Sequence, residues 1–252
     1  MNRTVFITGA SAGFGAACAR AFAAEGDRLV LAARRTEPLQ ELRRELEGQA
    51  EVHIVKLDVR KRDDVREAVE GLPADFAEVD ILINNAGLAL GLEPAQQANL
   101  DDWEAMIDTN IKGLTYLTRF LLPGMVERNR GHIINIGSVA GSWPYPGGNV
   151  YGGTKAFVEQ FSRNLRADLL GRKVRVTCIE PGMAETEFSM VRFKGDATKA
   201  ASVYAGAESL TAVDIAQIAV WVAGVPPHVN VNTLEVMSID QSWGPFAIHR
   251  VS

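Results

Sequence analysis

Arg3-Thr4-Val5-Phe6-Ile7-Thr8-Gly9-Ala10-Ser11-Ala12-Gly13-Phe14-Gly15 decides the fold. Arg3–Thr8 is short, β-branched and apolar, the pattern of a buried strand. A helical run from Ala16 to Glu25 follows. A glycine-rich loop carries meaning in that setting, between a strand and a helix. Gly9 permits the tight turn, Gly13 lets backbone approach a phosphate, and Gly15 lets the helix pack close to the strand. Ser11 and Phe14 belong to the same loop and are assigned to the same ligand. The helix N-terminus offers free N–H groups and a positive dipole end to a pyrophosphate. The spacing is G-x-x-x-G-x-G instead of the commoner G-x-G-x-x-G, and a glycine turn without a ligand is the alternative.

Gly26 ends the first helix as a C-cap, and Arg28–Ala33 reads as the second strand. In dinucleotide-binding folds an acidic residue near this strand's end holds the ribose 2′-hydroxyl. Here the position is apolar, Ala32-Ala33, and Arg34-Arg35 follow. Two guanidiniums suit a 2′-phosphate, so the dinucleotide is read as NADP and not NAD. A solvated arginine pair opening the next helix is the alternative. Glu37–Glu47 is an amphipathic helix, and Val52–Leu57 is a strand ending at Asp58-Val59, where adenine would lie. Arg62–Glu70 is a further helix, and the strand Asp80–Ile83 leads into Asn84-Asn85-Ala86-Gly87. Small residues at the carboxyl end of a parallel strand let a cofactor ribose approach the backbone, although simple turn chemistry gives the same residues.

Leu100–Arg128 is helical, with an interruption expected near Leu122-Pro123-Gly124. Asn110 inside it is either a satisfied core amide or a group that holds a water. Ser138 lies just past the strand His132–Ile136, and Gly141–Asn149, with Trp143, Pro144, Tyr145 and Pro146, reads as a substrate-pocket loop. A helix from about Val150 to Leu170 follows. Its Gly152 and Gly153 cost about 1 kcal/mol each against alanine, which close approach by another element would explain. Val174–Ile179 is a strand leading to Glu180-Pro181-Gly182. Residues 183–207 lose clear periodicity and are expected to form a mobile lid. Val213–Val222 is a helix and Thr233–Met237 a seventh strand. The tail from Gln241 to Ser252 carries Trp243, Phe246 and Ile248, enough apolar surface that docking is expected, on a partner subunit for instance.

The chemistry centres on Tyr151-Gly152-Gly153-Thr154-Lys155. Residues four apart on a helix project from one face. A lysine ammonium beside a phenol favours the phenolate and lowers the tyrosine pKa from its ordinary ~10. Bringing it to ~7 takes about 4 kcal/mol, more than one lysine supplies, so a second positive charge is expected. An oxidised nicotinamide would serve. Such a phenol exchanges a proton with a substrate oxygen near neutral pH. A surface Tyr and Lys on an amphipathic helix is the bland reading of the same spacing.

The 252 residues, 47% hydrophobic and 23% charged, are enough for a full core without staples. A net charge of −5 argues against nucleic-acid or anionic-membrane partners. Cys18 and Cys178 do not make a disulfide framework, and His53, His132, His228 and His249 show no metal-ligand spacing, so no metal is expected. No secretory pattern precedes the first strand, and no apolar run is long enough to span a bilayer, so a reducing cytoplasm is the expected compartment.

In order and in register, TGxxxGxG at Thr8–Gly15, NNAG at Asn84–Gly87, Asn110, Ser138, YxxxK at Tyr151–Lys155 and PGxxxT at Pro181–Thr186 resemble the short-chain dehydrogenase/reductase family across essentially the whole chain. The resemblance implies one α/β domain over residues 1–252, a Rossmann-like doubly wound sheet of seven parallel strands with helices on both faces. It implies hydride transfer between nicotinamide and a carbonyl or carbinol carbon. By the same resemblance Tyr151 is the acid/base and Ser138 holds the substrate oxygen. Lys155 lowers the tyrosine pKa and grips the nicotinamide ribose, and Asn110 holds a proton-relay water. The cofactor contacts implied are Gly9, Ser11, Gly13, Phe14, Gly15, Arg34, Arg35, Asp58, Val59, Asn85, Ala86, Gly87, Tyr151, Lys155, Pro181, Gly182, Met183 and Thr186.

Leu88–Pro94, Gly141–Tyr145 and Val191–Gly195 resemble, more narrowly, the NADP-dependent 3-hydroxy acid dehydrogenases, a group of serine and allo-threonine dehydrogenases and malonic semialdehyde reductases that are typically homotetramers. The loop after Pro181-Gly182 is slightly shorter here. A 3-hydroxy acid carries a carboxylate, for which Arg192 is the candidate partner and Lys194 the second choice. A solvated lid arginine is the alternative. Rival functions are a reductase of acyl-carrier thioesters, with Arg128, Arg130 and Arg172 meeting an acidic carrier, a general carbonyl or sugar reductase, and a cofactor-sensing protein without chemistry.

Overall fold

A computed structural model describes residues 3–243. The glycine-loop strand is β1 (Thr4–Thr8), followed by α1 (Gly13–Ala24), β2 (Arg28–Ala33), α2 (Glu37–Glu45), β3 (Val52–Lys56), α3 (Arg62–Glu70), a single turn α4 (Ala74–Ala77) and β4 (Val79–Asn84). Then come α5 (Leu100–Ile107), a π-helical turn (Asp108–Gly113), α6 (Leu114–Glu127), β5 (Gly131–Ile136), α7 (Asn149–Asp168) and β6 (Val174–Pro181). The last part holds β7 (Ala184–Glu185), α8 (Glu187–Arg192), α9 (Ala197–Ser202), β8 (Leu210–Thr211), α10 (Ala212–Gly224) and β9 (Thr233–Val236).

Seven strands form one parallel sheet in the order β3-β2-β1-β4-β5-β6-β9. Alternation along each strand divides the core between the two faces. Val5, Ile7, Leu29, Leu31, Ile81 and Ile83 pack with α1, α2 and α10. Phe6, Val30, Leu82, Ile133 and Val176 pack with α3, α6 and α7 on the other face. The strand order reverses between β1 and β4, and a doubly wound sheet leaves its binding crevice at the carboxyl ends beside that point.

Two local expectations are corrected. Leu122-Pro123-Gly124 does not interrupt the long helix: α6 runs through Pro123, which lies on its exposed face while Leu117, Leu121 and Met125 stay in the core. The missing bond and displaced carbonyl therefore fall on the solvent side, where water satisfies them. The helix is instead disturbed at Asp108–Gly113, where a Cβ on Gly113 would come within 2.6 Å of Val59. Residues 183–207 are not structureless, since Thr186 caps α8 and Asp196 caps α9 through side-chain bonds to backbone N–H groups. Of the tail, residues 244–252 lie outside the described part. Gln241 Oε1 accepts from Met183 N at 2.7 Å, and Trp243 packs on Trp143 with centroids 5.4 Å apart.

Candidate active site

The loop between β1 and α1 forms a cradle that side chains would fill. Gly9 and Gly13 have φ of +64° and +52°, a region that glycine enters freely. A Cβ on Gly15 would sit 2.4 Å from Gly9 O, so α1 begins at the closest approach the backbone allows. No side chain caps the first turn of α1, whose N–H groups remain available to a ligand. Thr8 and Asn85 lock this loop to the turn after β4. Asn85 Nδ2 donates to Thr8 O (2.9 Å) and Gly9 O (3.2 Å), while Thr8 Oγ1 accepts from Asn85 N (3.0 Å) and Ala86 N (2.9 Å). Thr186 closes the far side, its Cβ 3.6 Å from a Cβ built on Gly13.

Arg34 and Arg35 are exposed past the end of β2, with no carboxylate on the strand's last turn. Arg34 helps hold the Asp58 carboxyl below its usual range, after the larger effect of Arg60, which forks onto that carboxylate. Arg35 makes an exposed 3.4 Å pair with Glu187. These residues fit a phosphorylated dinucleotide: glycine backbone and a helix N-terminus for the pyrophosphate, and two cations where the 2′-substituent would come.

Ser138 follows β5, and Tyr151 and Lys155 lie on one face of α7. The turn 138–141 presses on that helix. A Cβ on Gly141 would be 2.9 Å from Ala156 N, and one on Gly152 would be 2.9 Å from Ala140 O, which is the close approach that explains Gly152. A Cβ on Gly153 would meet nothing within 4 Å among the described residues, so no such contact there accounts for it. Ser138 lies near enough to Tyr151 to lower the pKa of its phenol, while its Oγ accepts from Ala140 N at 3.1 Å and donates to Pro181 O at 3.5 Å. Lys155 is buried and donates from Nζ to Ile136 O at 2.8 Å.

The electrostatics differ from the sequence reading in one respect. Burial is the dominant influence on Tyr151 and pushes its phenol up to about 12. The nearby Ser138 hydroxyl and then the Arg192 charge pull the other way, and Lys155 is not among the groups that do. Lys155 Nζ stands 5.8 Å from the Tyr151 ring centroid and is itself brought down to about 8 by burial. The second positive charge is Arg192, at the end of α8, with Cζ 5.1 Å from the Tyr151 centroid. Tyr145 OH accepts from Arg192 at 2.7 Å, and the Tyr145 and Phe188 rings flank the guanidinium at 5.7 and 5.4 Å. Lys194 is turned away into a 2.8 Å salt bridge with Asp102.

Asn110 is a satisfied amide. Its Oδ1 accepts from Leu88 N (2.9 Å), and its Nδ2 donates to Leu88 O (2.9 Å) and Thr154 Oγ1 (3.0 Å). The π-turn that carries it departs from the α-helical ladder, which is common at functional sites.

A family described as short chain dehydrogenase matches residues 3–197. The chain belongs to this family. NADP-dependent 3-hydroxy acid dehydrogenase YdfG of Escherichia coli strain K12 is 57% identical over 247 residues, 98% of this chain and 99% of that one. Sulfoacetaldehyde reductase of Chromohalobacter salexigens is 53% identical over 249 residues, 98% of each chain. Among solved structures, the closed form of serine dehydrogenase complexed with NADP+ superposes with a TM-score of 0.95 at 56% identity, covering 98% of this chain and 100% of that one.

In this short-chain dehydrogenase the glycine loop, Asn85–Gly87, Ser138 and Gly182-Met183 follow the carboxyl ends of β1, β4, β5 and β6, Lys155 bonds the last residue of β5, and Arg34, Arg35, Asp58 and Val59 follow the same ends of β2 and β3. Arg128 and Arg130, considered for an acidic carrier, sit at the other end of the strands, bonded to Val79 O and Asp80 Oδ1. Thr8, Tyr145 and Thr154 were not assigned roles from sequence. Tyr145 stood within the pocket loop, but the partner that gives it meaning is 47 residues away. Among the described residues no group of three or more His, Cys, Asp and Glu is placed to hold a metal ion, and no helix is long and apolar enough to cross a membrane.

Proposed function

We propose that this chain is an NADP-dependent oxidoreductase acting at the 3-hydroxyl or 3-oxo carbon of a small 3-hydroxy acid, of the serine, allo-threonine or 3-hydroxypropionate/malonic semialdehyde type. The observation that carries this reading is a guanidinium fixed by Tyr145 directly over Tyr151, an anion partner beside an acid/base. NADP, when bound, supplies the hydride acceptor or donor. It would be held by Gly9, Ser11, Gly13, Phe14 and Gly15 at the pyrophosphate, Arg34 and Arg35 at the 2′-phosphate, and Asp58 and Val59 at adenine. Asn85, Ala86, Gly87 and Lys155 would meet the ribose, and Pro181, Gly182, Met183 and Thr186 the nicotinamide end.

Ser138 donates a hydrogen bond to the substrate oxygen and orients it. Tyr151 Oη takes the hydroxyl proton on oxidation and returns it on reduction. Arg192 receives the carboxylate. Because the Asn110 side chain is spent on Leu88 and Thr154, its share in a proton relay falls to the backbone of the π-turn. Residues 1–252 act as one catalytic unit with 183–207 as its lid, and relatives that match along 98% of the chain support that span. The enzyme works as a homotetramer in the cytoplasm, a compartment that suits two buried free cysteines.

A second reading, a sulfonate-ended aldehyde, is favoured by the same cation. Arg192 grips a tetrahedral anion as readily as a planar one, and one relative is a sulfoacetaldehyde reductase. A panel of L-serine, D-serine, allo-threonine, 3-hydroxypropionate, 3-hydroxyisobutyrate and sulfoacetaldehyde, with NADP(H) and NAD(H), ranks these substrates. Tyr151→Phe retains NADPH binding and loses turnover by about a thousandfold; unchanged turnover would refute its role.

A further inference from the structure

We infer that Arg192 is a catalytic residue in its own right: the lid carries the charge that activates Tyr151, and a substrate anion discharges it on binding. This goes beyond substrate recognition and rests on the acid/base reading of Tyr151.

The groups facing the Tyr151 phenol come from four places. Ser138, in the turn after β5, favours its ionisation. Tyr145, from the pocket loop, opposes its ionisation. Lys155, one turn along α7, directs its ammonium to Ile136 O. Arg192 arrives from α8 together with the Phe188 ring, whose centroid is 5.7 Å from that of Tyr151. Of the two cations Arg192 is the closer to the ring, 5.1 Å against 5.8 Å. It is also the more dependable. Burial brings Lys155 down to about 8, so it surrenders its charge as pH rises, whereas a guanidinium does not deprotonate in a protein. The buried setting leaves little water to screen the interaction.

Arg192 is also free to change partners. Tyr145 holds one end of the fork, while Nε is buried with no hydrogen-bond partner among the described residues. A substrate carboxylate satisfies that donor and cancels the charge felt by Tyr151. The phenol then binds its proton more tightly in the substrate complex than in the free enzyme. That favours proton donation to a carbonyl carried by an anion, and it makes oxidation of the corresponding hydroxy acid require higher pH than oxidation of a neutral alcohol.

The test compares 3-hydroxypropionate with its neutral counterpart 1,3-propanediol, oxidised with saturating NADP, in the wild type, Arg192→Met and Arg192→Lys. For the diol, Arg192→Met moves the acid limb of kcat/KM up by about one pH unit, and Arg192→Lys restores most of it. In the wild type, the kcat limb lies higher for 3-hydroxypropionate than for the diol. Phenolate absorbance, taken as the difference between each enzyme and the same enzyme carrying Tyr151→Phe, shifts by the same amount without reference to turnover. An Arg192→Met enzyme that loses 3-hydroxypropionate turnover while its diol limb and its phenolate absorbance stay in place overturns the inference and leaves Arg192 a simple anion clamp. Full turnover in Tyr151→Phe would remove the acid/base reading itself, a separate outcome read from a separate variant.

Discussion

Tyr145→Phe removes one oxygen atom and leaves the ring that flanks Arg192. The lost contact is a 2.7 Å hydrogen bond from a guanidinium to a neutral hydroxyl, both residues half-buried. Hydrogen bonds to charged groups contribute about 1.5–3 kcal/mol, and partial access of water reduces the loss to roughly 1–2 kcal/mol. The cation–ring contacts of Arg192 to Tyr151 and Phe188 remain, so the guanidinium stays in the crevice but loses its fixed orientation. A loss of 1.4 kcal/mol is about tenfold, so kcat/KM for 3-hydroxypropionate falls roughly 5- to 30-fold. The assay is steady-state oxidation with saturating NADP, run beside 1,3-propanediol on the alkaline plateau above its acid limb, where a shift of that limb is not felt and kcat/KM stays within about twofold of wild type because the diol presents no anion. Equal losses on the two substrates would show that the hydroxyl supports the pocket as a whole, and the assignment of Arg192 to the substrate's anionic end would lose its geometric basis.

Gly15→Ala places a methyl group 2.4 Å from a backbone carbonyl that has no room to retreat. It lowers Tm by about 5 °C and weakens NADP binding at least tenfold, as followed by thermal denaturation and cofactor titration; native values for both would mean that α1 does not abut the loop. Glu180 is buried at the end of β6, with Glu159 and Glu235 nearby, and burial followed by those charges raises its carboxyl to about 7. The folded state therefore holds this proton more tightly than the unfolded chain, so stability is fully present below about pH 4.5 and declines as pH rises to about 7, by up to about 3 kcal/mol. Glu180→Gln flattens that decline in urea titrations at pH 5 and pH 8, and an unchanged slope would assign the pH dependence to another group.

The strands were legible because each carries two apolar faces, as with Val5 and Ile7 against Phe6, and a sheet covered on both sides demands that pattern. The glycine loop was legible because Gly9, Gly13 and Gly15 each meet a separate steric demand. The π-turn was not, since nothing in Asp108–Gly113 marks it locally; a distant constraint, Val59 against Gly113, accompanies it. Pro123 misled because the rule for proline assumes an interior carbonyl, and here the face is exposed. Helices α8 and α9 were readable from Thr186 and Asp196, cap residues whose signal the mixed charges obscured. The electrostatics of Tyr151 were the least accessible, because spacing reveals Lys155 as a neighbour but neither the carbonyl to which its ammonium turns nor the depth of burial that outweighs it.

The attachments of α8 and the turn after it have a kinetic corollary if they open to release product. Gly91 N bonds Arg192 O at 3.1 Å, Lys194 reaches Asp102, and Arg35 reaches Glu187 from beside the cofactor loop. Dissolved salt leaves the first of these alone and screens the other two, whose cations face water. Turnover limited by escape of product would then quicken as ionic strength climbs, while turnover limited by bond-making would not, so a plain salt titration separates the slow step from the fast one.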